Sequence, residues 1–76
     1  MHRPLVDIVN QVRVHKGMAP VTALKPSDRL RADLGFNSLD IAELTVRLEE
    51  HFGVDVFADG IVHTVGEISA RLPVRT

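Results

Sequence analysis

The segment Asp33-Leu34-Gly35-Phe36-Asn37-Ser38-Leu39-Asp40-Ile41-Ala42-Glu43-Leu44 runs from a loop into a helix, and the rest of the chain is read outward from it. From Ser38 onward, Ile41, Leu44, Leu48 and Phe52 recur every three or four positions, the spacing of one helical face. Gly53 follows as a left-handed stop, so the pattern predicts a helix over Ser38–Phe52. Ser38 stands where loop gives way to helix, and serine there is ordinarily an N-cap. Asn37 is an equally good cap. If Asn37 caps, Ser38 becomes the first helical residue and its hydroxyl is free to point outward. A phosphate ester placed there would meet unpaired N–H groups and the positive end of the helix dipole, worth about 0.3–1 kcal/mol when exposed.

The same helix carries a second stripe. Leu39, Ala42 and Val46 share a face rotated away from Leu44 and Leu48, and Asp40, Glu43, Glu49 and Glu50 flank it. Either this helix is sandwiched between two others, or the stripe is an apolar strip edged with acids that suits a basic, partly apolar partner. Periodicity alone leaves both open.

On the N-terminal side, Leu5, Ile8, Val9 and Val12 form one stripe, predicting a first helix over Arg3–Lys16 with Pro4 in its opening turn and Gly17 after its end. The stretch from Gly17 to Asn37 is a long connection, expected to be pinned to the core by Met18, Val21, Leu24, Leu30 and Leu34. Within it, Ser27 is expected to cap a short helical turn reaching Asp33. On the C-terminal side, Phe57–Val62 is expected to form a short third helix despite Gly60. Thr64 and Glu67 have capping-box spacing at the head of a last helix over Thr64–Leu72, ended by Pro73. The expected fold is all-α: a small four-helix bundle with a long loop between helices one and two.

A single domain over residues 1–76 fits this length, with one small core and little room for a deep catalytic cleft beside it. Apolar runs fall far short of the ~20 residues that cross a bilayer, and residues 1–16 lack a secretory signal's unbroken apolar stretch. No membrane insertion and a cytoplasmic location are expected. With no cysteine there is neither a disulfide framework nor a thiolate metal site. The net charge of −1 divides into +3 over residues 1–36 and −4 over residues 37–76. An acidic second helix argues against nucleic acid. His2, His15, His51 and His63 form no ligand-spaced pair, and no histidine is placed by sequence to act as base for Ser38, so no catalytic or metal site is expected.

The quoted segment, with Leu48-Glu49-Glu50-His51-Phe52-Gly53 and Thr64-Val65-Gly66-Glu67-Ile68 downstream, resembles the prosthetic-group attachment region of acyl carrier proteins. Weaker agreement in helix one extends the likeness over most of the chain. The resemblance implies a four-helix bundle whose serine, here Ser38, is esterified by 4′-phosphopantetheine from coenzyme A. A phosphopantetheinyl transferase makes that attachment. The arm's thiol then holds an acyl, aminoacyl or polyketide intermediate as a thioester, which gives thiol chemistry to a chain without cysteine. Acyl-loading and acyl-processing enzymes are the implied partners. By matching position, Leu39, Ala42 and Val46 would make their apolar contact, and Asp40, Glu43, Glu49 and Glu50 would meet their basic patches. Leu44, Leu48, Ile61 and Val65 would line a pocket for the acyl chain, unless they are ordinary core.

Asn37 departs from the family pattern, which has aspartate before the serine; the cap is kept and a charge beside the phosphate is lost. Arg47 interrupts the acidic face, and His51 stands where an acid is common. These departures point to a specialised carrier without choosing its pathway. The rival expectation is a carrier-like fold that is never modified and serves as a protein-interaction module. A monomer suits a carrier that must visit several partners, and the Met1 start with no linker points to a free-standing protein.

Overall fold

The computed structural model describes residues 3–58 and 60–73. Among them are three α-helices, α1 (Arg3–His15), α2 (Ser38–Phe52) and α3 (Val65–Arg71), and no β-strand. The all-α expectation holds at that level. Helix α1 buries Leu5, Val6, Ile8, Val9 and Val12, and its last turn carries Arg13 and His15, which suit the negative end of the helix dipole. It ends one residue earlier than Lys16. The Met18 N–H reaches back to the Arg13 carbonyl at 2.8 Å, with Gly17 between them in the left-handed region at φ 87°.

Helix α2 has the predicted bounds. Its inner residues Leu44 and Leu48 are fully buried and pack with Val9 and Val12 of α1 and Val65 and Ile68 of α3 in one apolar cluster. Full burial of each such side chain stabilises by about 1.5–3 kcal/mol. Helix α3 begins one residue later than predicted because Thr64 is its cap rather than its first residue.

The connection 16–37 is held by α1 as much as by its own apolar residues. The Asn10 amide donates to the Val21 carbonyl at 2.8 Å and accepts from the Val21 N–H at 2.7 Å. The Arg13 guanidinium donates to the carbonyls of Ala19 at 2.9 Å and Leu34 at 2.6 Å. Leu24, Leu30, Leu34 and Phe36 are buried beneath it, while Met18 and Val21 are half-buried. The helical turn expected over Ser27–Asp33 is displaced. Lys25 and Asp28 close one turn, with the Asp28 carboxylate accepting from the Lys25 N–H. A second turn over 30–34 is held by the Asp33 carboxylate, which accepts from the Arg29 N–H at 2.7 Å. Ser27 is exposed and caps neither.

This connection lies across the start of α3. The Leu30 N–H donates to the His63 carbonyl, the Val65 N–H to Asp28 and the Gly66 N–H to Pro26, all at 2.9 Å. A Cβ at Gly66 would fall 2.9 Å from the Pro26 carbonyl oxygen, so only glycine allows this approach.

The short helix expected over 57–62 is not formed among the described residues, where the chain makes turns instead. Two features explain it. Gly60 has φ 124°, outside helical space, and its N–H bonds to the Phe57 carbonyl. The Val56 carbonyl, which a helix would offer to Gly60, accepts from the Arg71 guanidinium at 2.7 Å instead. Among the described residues the expected third helix is therefore replaced by turns that Arg71 ties to α3.

Candidate functional site at the start of helix α2

The backbone before Ser38 is fixed from three sides. Gly35 takes φ 75°, and a Cβ there would come within 2.9 Å of the Met18 methyl carbon. The Lys16 ammonium donates to the Gly35 carbonyl at 2.7 Å and to the Asp40 carboxylate at 2.5 Å. The Phe36 ring is buried, and its N–H bonds to the Leu30 carbonyl.

Asn37 is the cap, in extended backbone at φ −95° and ψ −177°. Its side-chain oxygen accepts from the Asp40 N–H at 2.9 Å, and the Asp40 carboxylate accepts from the Asn37 N–H at 2.9 Å. This reciprocal box leaves Ser38 as the first helical residue, exposed, with its hydroxyl outside the capping scheme. The alternative left open by spacing, in which Ser38 caps, is not the one found. The Ser38 hydroxyl oxygen accepts a hydrogen bond from the Arg31 guanidinium at 2.9 Å.

Ser38 borders a recess of about 570 Å³. Buried Leu30 and Val62 and half-buried Ile41 and Phe57 give it an apolar interior, with Arg29, Arg31 and His63 around it. Of the four residues expected to line an acyl pocket, only Ile61 borders this recess, at 74% exposure. Leu44, Leu48 and Val65 are fully buried in the core and are packing residues.

The second stripe of α2 is open. Leu39 is 78% and Val46 55% exposed, and Ala42 lies exposed between them. The helix is not sandwiched on this face. Its flanking acids divide into two kinds. Asp40, expected on the docking face, is buried and committed to Lys16 and the cap; the Lys16 hydrogen bond first, then the Asn37 N–H, hold its carboxyl below the usual carboxylate range. Glu43 is half-buried between Arg47, at 2.9 Å, and His15, at 3.1 Å; the Arg47 hydrogen bond is the main reason its pKa is lowered. Glu49 and Glu50 are exposed, and among the described residues neither forms an ion pair.

Three contacts of the site escaped the sequence reading: Arg31 on Ser38, Lys16 on Asp40, and the Arg47–Glu43–His15 cluster. The Asn37-x-x-Asp40 spacing was a usable signal for the cap, since an acid three residues after a cap ordinarily faces back to it.

A family profile described as "Phosphopantetheine attachment site" matches residues 17–72. The chain therefore belongs to the phosphopantetheine-binding carrier family, whose prosthetic group is covalently attached 4′-phosphopantetheine. No curated protein and no solved structure gives a significant match.

The residues present fit such a group. An exposed primary hydroxyl, relieved of capping by its neighbour, sits at a helix start beside a guanidinium and above an apolar recess. When bound, the group supplies a terminal thiol on which an acyl group can be carried. The chain's own residues hold the Ser38 hydroxyl outward, fix the preceding loop through Lys16 and Gly35, and set the Arg31 guanidinium beside that hydroxyl. Among the described residues no helix is long and apolar enough to cross a membrane.

Proposed function

We propose that Ser38 is the attachment residue and that the chain presents acyl or aminoacyl intermediates on its arm to successive enzymes. One observation supports this above the rest: Asn37 takes the capping role, leaving the Ser38 hydroxyl exposed and free of the helix it begins. The apolar strip of Leu39, Ala42 and Val46 is the docking face, and Glu49 and Glu50 are the acids available to a basic patch on a partner. Asp40 and Glu43 contribute to this face by shaping it, since their charges are matched internally. A phosphopantetheinyl transferase is the first partner on this reading. The carrier itself is not a catalyst, and it works as one domain over residues 1–76.

Intact mass after incubation with coenzyme A, magnesium and a broad-range transferase tests the assignment. The parent is expected to gain about 340 Da, the mass of the arm less water, and Ser38→Ala to gain nothing. An unmodified but folded parent would leave the unmodified interaction module as the reading, with the same open strip on α2.

A further inference from the structure

We propose that Arg31 is the phosphate-holding residue of the arm, pairing its guanidinium with the non-bridging oxygens of the phosphodiester and steering the chain from Ser38 into the adjoining recess. This rests on the carrier reading of Ser38 and deepens it.

The distance carries the argument. Arg31 Nη2 lies 2.9 Å from Ser38 Oγ, the atom that esterification turns into a bridging phosphate oxygen. The non-bridging oxygens, which bear the negative charge, then sit two bonds beyond that atom and within the sweep of the same side chain. A planar guanidinium presents paired donors that match two such oxygens, whereas Ser38 Oγ alone can engage only one.

Position is enforced by the backbone. Arg31 follows Leu30, which is fully buried, and its turn is closed by the Asp33 N–H on the Arg29 carbonyl and by the Phe36 N–H on the Leu30 carbonyl. The turn therefore fixes the Arg31 backbone beside Ser38, and the hydrogen bond to Ser38 Oγ is what brings the guanidinium over it. Arg29, two residues away and also bordering the recess, pairs with Asp33 at 3.6 Å; among the described residues no carboxylate pairs with Arg31. The helix adds the backbone N–H groups of its first turn, which the Asn37 cap only partly engages. Because residue 37 is an asparagine, no carboxylate stands immediately before Ser38 to compete for the cation.

The test uses the pantetheinylated protein in wild-type form and as R31Q, R31K and R29Q, with intact mass confirming the arm on each. Phosphorus NMR is then recorded from about 0.01 M to about 1 M NaCl, over which the Debye length contracts from about 30 Å to about 3 Å. At low salt the phosphodiester resonance of R31Q is expected to move from the wild-type position several-fold further than that of R29Q. R31K should fall between, because charge is kept and the fork is lost. Added salt should carry the wild-type resonance toward the R31Q position and leave R31Q nearly still. Superimposable wild-type and R31Q resonances on fully modified, folded proteins would overturn the assignment while leaving Ser38 as the carrier site. A wild type that gains no mass removes the carrier reading and this inference together, and the mass spectrum reports that separately.

Discussion

Two connections in this chain end in the same device, and the device does different work in each. The connection 16–37 closes with Asn37 and Asp40, and the connection 53–64 closes with Thr64 and Glu67; both pairs form reciprocal capping boxes. At the second box, Glu67 accepts from the N–H groups of His63 and Thr64 at 3.1 Å and remains half-buried, with no cation paired to it among the described residues. At the first box, the acid is buried and also receives Lys16, the residue that follows α1. A cap with a third partner becomes a joint between two helices. The residue after the cap is therefore fixed in space as well as in backbone conformation. In the first connection that residue is Ser38; in the second it is the fully buried Val65. One box presents a side chain outward, and the other seats one in the core.

The contrast extends to how the connections are anchored, and mutation can break it there. Leu30→Ala removes a fully buried side chain of the first connection and is expected to cost about 2–5 kcal/mol, against about 1.5–3 kcal/mol for Val62→Ala in the second. Urea denaturation of both variants measures the gap, and equal losses would mean the two connections are anchored alike. The boxes themselves give a smaller difference. Asp40→Ala opens the cap and strips Lys16 of its partner, for about 1–2 kcal/mol, since Lys16 can recover water. Glu67→Ala should lower the melting midpoint by less, because no cation is left unpaired.

Acid offers a third and finer probe. The Asp40 pKa is lowered by Lys16 and then by the Asn37 N–H; that of Glu67 is lowered chiefly by the His63 N–H, with Thr64 adding to it. A depressed folded pKa means the stabilisation is complete above the unfolded value of about 4 and is lost as pH falls through the folded value. Stability should hold from neutrality to about pH 5 and then decline. Asp40→Asn should decline less steeply below about pH 4 than the parent, because one of the linked protons is gone. A parent whose melting midpoint is flat between about pH 5 and about pH 3 would show that neither box is coupled to folding.

What could be read from the sequence was what lies within a few residues. Asn37 and Gly53 bracket α2, and Thr64 with Glu67 opens α3, because caps and stops act over one helical turn. The open stripe of α2 was legible as a pattern, though its exposure was not, since period 3.6 does not say what covers a face. The third helix was misjudged because its competitor is remote: Arg71 takes the Val56 carbonyl from 15 residues away. The different settings of the acids on α2 were out of sight for the same reason. Asp40 and Glu49 are alike as letters, and only the fold shows that one meets Lys16, 24 residues distant, and the other meets solvent. Arg31 lay in a loop with no periodicity to mark it.

The close approach of Gly66 to Pro26 also has a kinetic meaning. It joins positions 40 residues apart, while the α1 clasp of Asn10 on Val21 spans only 11. Closing the longer loop costs roughly 1 kcal/mol more chain entropy on logarithmic scaling, so the shorter clasp should form early and the longer one near the end. Crowding that late contact with Gly66→Ala should then quicken unfolding and leave the refolding rate nearly unchanged in stopped-flow traces. The clasp of α1 on the connection would accordingly take shape before the start of α3 closes onto that connection.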